Sequence, residues 1–152
     1  MVDRGKVEAM LARLRRYRAY LEELASIPEE ELLADVGRLG GVKYYFQVAV
    51  ESCIDLCNYI VAAKGWRAPQ SCADCFTVLG ERGVLPAEFV TTARQMAQFR
   101  DRLVHLYWEV SDEAVCGLLH THLYDFDRFA SYILTWMEEE TGPKGGESEV
   151  KT

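Results

Sequence analysis

No stretch of this chain reaches the roughly 18 consecutive apolar residues that a membrane-crossing helix needs. The opening segment, MVDRGKVEAML, is charged early and lacks an apolar block of the signal-peptide kind. A cytoplasmic location with no membrane partner is therefore expected. An excess of positive charge is missing too: 17 Lys and Arg stand against 24 Asp and Glu, a formal net charge of −7. That balance excludes a protein that coats polyanions with its whole surface, because phosphate contacts need local Lys and Arg. It leaves room for a small basic cleft on an acidic body.

A disulfide scaffold is excluded as well. The five cysteines are odd in number, and the chain is apolar enough to build a real core. Cys53 and Cys57 stand four apart in an apolar helical stretch, where they read as small core hydrophobes. Cys72 and Cys75 form half of a zinc motif, but a second CxxC or a CxxH is missing, and no βαβ pattern supports a redox role. No metal and no cofactor is expected. Strands are scarce: outside the helical patterns, the only candidate for alternating, extended structure is Leu106 to Val110, LYWEV. No internal repeat is visible.

What is present is a helical pattern throughout. The 152 residues, 49% apolar and 27% charged, suit one domain. Residues 1–140 are expected to form it, with TGPKGGESEVKT (141–152) as a mobile tail. Val7, Met10, Leu14, Tyr17, Leu21 and Leu24 recur at steps of three and four, which predicts an amphipathic helix over 2–26. Ser26-Ile27-Pro28 ends it, and PEEELLADV starts a short helix with acids at its N-terminus. Gly37, Gly40 and Gly41 predict a kink or loop. A long helix follows over 42–64, with Glu51 and Asp55 beside its apolar face, either as a solvated flank or as a pair of acids at the edge of a cleft. Ser71 caps a helix that Gly83 ends, and Pro86 starts the next. Ser111 or Asp112 caps one last helix running to about Glu140. The fold class is all-α, an up-and-down helical bundle.

The segment FRDRLVHLYWEV (99–110) holds one of only three histidines. On a straight helix Asp101 and His105 share a face. Arg100 and His105, five apart, diverge by roughly 140° at about 100° per residue. Tyr107 points almost opposite to His105. Two arrangements could unite these groups: a helix that ends near His105 with LYWEV extended, or a symmetric dimer in which each Arg and His appears twice. The residue types suit phosphodiester cleavage. Histidine exchanges protons near neutral pH, arginine is a permanent cation for phosphate oxygens, and Asp101 could orient His105. The bland alternative is a histidine that the dipole favours at a helix C-terminus.

R-x4-H-x-Y, here Arg100, His105 and Tyr107, resembles the signature of the HEPN superfamily. The wider FRDRLVHLYWEV and the earlier AVESCIDLCNYIVA resemble its HepT-like branch in the same order, and the likeness spans about residues 2–138. The resemblance implies a dimeric helical bundle whose motif lines a cleft between protomers. It implies a metal-independent endoribonuclease toxin with an RNA substrate, with Arg100 and His105 as the catalytic pair. Asp101 falls where an auxiliary polar residue, often Asn, is typical. Tyr107 falls on the tyrosine that an MntA-like nucleotidyltransferase antitoxin modifies with AMP. Two other readings stand beside it: a non-catalytic helical module that binds nucleotide or docks a nucleotidyltransferase, and a plain structural partner.

Arg13, Arg15, Arg16 and Arg18 read as a solvated helix face paired with Glu22 and Glu23, or else as a strip for RNA or a partner. His120 and His122 face different ways and read as ordinary helix residues. Trp66 and Trp136 read as core or interface residues, and Trp108 neighbours the proposed cleft.

Overall fold

The structure, a computed structural model, describes residues 1–141. Apart from the backbone of Thr141, the tail expected over 141–152 lies outside the described residues. Seven α-helices are present among them: α1 (Arg4–Ala25), α2 (Glu29–Leu33), α3 (Val36–Lys64), α4 (Asp74–Glu81), α5 (Ala87–His105), α6 (Asp112–Thr121) and α7 (Tyr124–Thr141). A single 3-10 turn, Tyr107–Glu109, joins α5 to α6. No described residue is in a strand.

The central element is α3. It packs along α1 and also meets α2, α4, α5 and α6. Its apolar side is wide because it must serve all of them: Val42, Ala49, Cys53, Cys57 and Ile60 are fully buried. Burial pushes the Cys53 and Cys57 thiols up from their ordinary pKa, as expected of thiols serving as core hydrophobes. Leu11, Leu14 and Leu21 of α1 close one side of this core; Phe76, Phe89 and Phe129 fill the other from α4, α5 and α7. By length and composition α3 could cross a membrane, but 56% of its apolar window is buried inside the bundle, as in a core helix.

Three local expectations differ from the structure. The helix over 42–64 begins earlier, at Val36, and runs through Gly37, Gly40 and Gly41 without a loop. The Asp35 side chain caps it by accepting from the Arg38 N–H at 3.0 Å. Burial of Leu39 and Val42 outweighs the glycine penalty of about 1 kcal/mol per residue. The last helix is divided. Ser111 Oγ caps α6 at Ala114 N, but α6 ends at Thr121 and α7 starts at Tyr124. Here Asp125 accepts a hydrogen bond from His122 Nδ1 at 3.0 Å and Leu123 turns inward, with no Gly or Pro to announce the break. LYWEV is not extended but carries the 3-10 turn.

Close helix approach sets one sharp constraint. A Cβ on Gly80 of α4 would lie 2.6 Å from Val90 Cγ2 of α5. Valine is stiff at χ1 and cannot easily move aside. Gly80→Ala is therefore expected to destabilise the fold by about 1 kcal/mol, since overpacking costs about 1–3 and the better helix propensity returns about 1. A urea double-mutant cycle checks it: the cost should vanish in a Val90→Ala background.

Candidate active site at the end of α5

Two elements build the site, and α3 supports both. Helix α5 is anchored next to the motif by Phe99, whose ring meets Phe46 of α3 edge-on at 5.8 Å. The next residue, Arg100, is mostly buried and held by two carboxylates. Its Nε donates to Glu51 Oε1 at 3.2 Å, and its Nη1 donates to Asp101 Oδ1 at 3.0 Å. Gln47 donates to the same Glu51 oxygen at 3.0 Å. Nη2 has no hydrogen-bond partner among the described residues, so one nitrogen of the fork stays open for an oxyanion. Burial works against the Arg100 charge, but the hydrogen bond to Asp101 and the charge and hydrogen bond of Glu51 outweigh it. The Arg100 pKa consequently lies above its ordinary value.

His105 is the last residue of α5 and is exposed. It has no hydrogen-bond partner among the described residues. Asp101, one turn earlier, pairs with Arg100 and not with His105. The expected orienting contact from Asp101 to His105 is thus replaced by one that orients the arginine, because the permanently charged guanidinium is the stronger donor.

The helix does end at His105, as one of the two arrangements required. That break still leaves Arg100 and His105 on the same straight helix, roughly 140° apart. The 3-10 turn then brings Tyr107 against α3. Its ring lies over Lys43 of α3, with Nζ 4.5 Å from the ring centroid, and Lys43 also donates to Asp112 Oδ1 at 2.8 Å. Tyr107 remains 48% exposed and Trp108 78%, so both reach solvent beside His105. No hydrogen bond or ring contact joins Arg100, His105 and Tyr107 to one another within the described residues.

Glu51 was half legible in the sequence as one acid of a pair, but the pair divides: Asp55 meets Arg13 at 3.4 Å, away from the motif. Lys43 was missed. Its signal was there, a lysine on the stripe Leu39, Lys43, Phe46, Val50, where an apolar residue belongs. Two of the four arginines in the α1 cluster are tied to acids, while Arg15 and Arg16 form no ion pair among the described residues. Besides Arg13, Arg18 bridges Glu22 at 2.7 Å and Asp127 of α7 at 2.9 Å. His120 contacts the Cys116 carbonyl through Nδ1, and Trp66 meets Trp136 at 6.0 Å between ring centroids. Cys75 Sγ donates to the Cys72 carbonyl, and no group of three or more His, Cys, Asp or Glu among the described residues could hold a metal ion.

With this geometry the chain can be set beside known proteins. The model of the ribonuclease HepT-like family matches residues 10–133. An mRNA nuclease HepT of Shewanella oneidensis is 31% identical over 87 residues, 57% of this chain and 65% of the relative. The match thus spans just under two thirds of that relative's length. A structure of a tri-AMPylated Shewanella oneidensis HEPN toxin with its MNT antitoxin superposes with a TM-score of 0.80 at 24% identity, covering 89% of this chain and 99% of that one. A toxin–antitoxin complex with AMP-PNP gives 0.79 at 23% identity, covering 85% and 97%. A cytosolic protein of unknown function, YutE of Bacillus subtilis, gives 0.78 at 21%, covering 93% and 95%. The helical bundle is therefore the fold of HEPN toxins.

The clamp on Arg100 has a measurable consequence. In Glu51→Ala the Nε–H of Arg100 loses its acceptor, and its NMR signal should broaden or vanish through faster exchange with water. Stability should fall by about 1 kcal/mol or less, as for a partly exposed ion pair. An unchanged Arg100 Nε–H signal would show that Glu51 does not hold the guanidinium in solution.

Proposed function

The chain belongs to the ribonuclease HepT-like family, and we propose that it is a metal-independent endoribonuclease toxin whose Arg100 and His105 cleave RNA in a cleft between two copies. The observation that carries this reading is the contrast between the two residues. Arg100 is fixed by Glu51 and Asp101 with Nη2 left open, whereas His105 is exposed at a helix end and its ring has no hydrogen-bond partner among the described residues. A clamped cation and a free imidazole are the two parts that phosphodiester cleavage needs. Because α5 holds them on different faces, the second copy supplies the complement. Exposed Val104, Leu106 and Trp108 flank His105 and give that copy apolar surface to cover.

The chemistry follows from these parts. The His105 imidazole takes the proton of a ribose 2′-hydroxyl, and the 2′ oxygen attacks the adjacent phosphorus. Arg100 receives the negative charge that builds on the non-bridging oxygens. The bond to the 5′ oxygen breaks, and the proton held by His105 returns to that oxygen. Asp101 acts through Arg100 as an auxiliary. Its negative charge also weakens attraction for RNA, so affinity depends on Arg100 keeping Nη2 open.

Tyr107 is the site of control. A nucleotidyltransferase antitoxin of MntA type attaches AMP to its hydroxyl. The side chain is half exposed and two residues from His105, so a bulky anionic adduct there would fill the cleft and repel RNA phosphates.

Purified protein is expected to cut single-stranded RNA in EDTA. His105→Ala should lower the rate about 10²–10⁴-fold, the usual contribution of a positioned acid–base group. Arg100→Ala should lower it about 10²–10³-fold, as for a lost oxyanion donor. Circular dichroism should show the helices intact in both. Cleavage by His105→Ala at the unmutated rate would overturn the assignment.

A further inference from the structure

A lysine inside the buried stripe of a helix calls for a reason. Lys43 keeps only 8% of its surface exposed, and lysine is almost never buried that far unless paired. It has two partners, and both lie beyond α3. Its Nζ donates to Asp112 Oδ1 at 2.8 Å, at the first turn of α6, and sits 4.5 Å from the centroid of the Tyr107 ring. The 3-10 turn that carries Tyr107 has no buried residue of its own. Its backbone is held by Glu109 N to Leu106 O and Val110 N to Tyr107 O, and the chain re-enters the core only at Val110. Lys43 is thus the side chain that ties the Tyr107 ring to the rigid centre of the bundle.

We infer that Lys43, itself fixed by Asp112, is the positioning residue of Tyr107, holding the face of its ring so that the hydroxyl is presented to a nucleoside triphosphate for adenylyl transfer. The inference rests on the reading of Tyr107 as the modified residue. In that transfer Tyr107 Oη bonds to the α-phosphorus, the bond from the α-phosphorus to the β-phosphate breaks, pyrophosphate leaves and the phenolic proton passes to solvent. Those two backbone bonds fix the turn but not the Tyr107 ring, and an error of about 1 Å in placing a reacting atom can cost about 100-fold in rate. A cation at the aromatic ring restrains it, and the Tyr107 hydroxyl lies close enough to interact with the Lys43 ammonium. The same charge lies close to where an anionic adduct begins, which favours the modified state. Asp112 keeps the ammonium charged in spite of its burial: the Lys43 pKa lies above its ordinary value, because hydrogen bonding to Asp112 and the proximity of Tyr107 outweigh desolvation. Burial and the pairing with Asp112 argue against a direct RNA contact for Lys43.

The test uses the full chain, ATP labelled at its α-phosphate and an MNT-type nucleotidyltransferase. Lys43→Met removes the charge at similar length, whereas Lys43→Arg keeps a cation for the ring. Incorporation at Tyr107 should fall about tenfold to a hundredfold in Lys43→Met and recover in Lys43→Arg, with helical content unchanged in both. Labelling of Lys43→Met at the unmutated rate would overturn the inference, and so would an equal loss in both variants with the helices intact. A second readout needs no transferase. The Lys43 Cε protons should be shifted upfield by the Tyr107 ring current in NMR, and Tyr107→Leu should abolish the shift. Absence of that shift overturns the positioning contact directly. If instead the shift is present and Tyr107→Phe takes up label as well as the unmutated chain does, the reading of Tyr107 as acceptor falls while the contact stands.

Discussion

An α-helix turns about 100° per residue, and on α5 that pitch keeps Arg100 and His105 on different faces. No rotamer choice removes a separation of roughly 140° between two residues on a straight helix. The rest of the site is organised around it. Arg100 faces inward, where Glu51 of α3 and Asp101 can hold it. His105 faces out at the helix end, where its ring has no hydrogen-bond partner among the described residues. On the proposed reading a single protomer presents two half-sites.

Helix α3 supports both halves. Glu51 secures the arginine, and Lys43, eight residues earlier, secures the tyrosine on the turn beyond His105. Eight residues are about 12 Å of helix and a rotation of about 80°, so both side chains emerge toward the same flank of the bundle. They can serve as fixed points because α3 is the element against which five other helices pack. Chemistry on a helix end and a short turn would otherwise be loosely placed, since such segments have few buried contacts of their own. A rigid centre that supplies one acid and one buried cation gives these exposed groups a defined geometry.

Most of the bundle was legible as periodicity. The stripe of α1 and the caps at Ser71 and Ser111 follow from local chemistry that the structure retains. The glycines at 37, 40 and 41 misled because glycine reports only a local cost, whereas the helix there is carried by burial of its neighbours and by Asp35. The break between α6 and α7 was invisible because it is made by a His122–Asp125 contact and an inward Leu123, a pattern that other helices contain without breaking. At the site, Arg100, Asp101, His105 and Tyr107 stood out as a motif. Their supports come from 49 and 64 residues away in sequence for Glu51–Arg100 and Lys43–Tyr107, and spacing within one segment cannot reveal such pairs. Asp101 was read as the partner of His105 because they share a face; the structure gives it to Arg100, a stronger donor within reach.

If one cleft joins Arg100 of one copy to His105 of the other, two differently disabled chains should repair each other. The decisive measurement is RNA cleavage by a mixed dimer, isolated with two different tags, of one Arg100→Ala chain and one His105→Ala chain. One of its two clefts would keep an intact arginine and an intact histidine. The account predicts about half the cleavage rate of the unmutated dimer, where each single-variant dimer is inactive. A mixed dimer as inactive as either parent would contradict it.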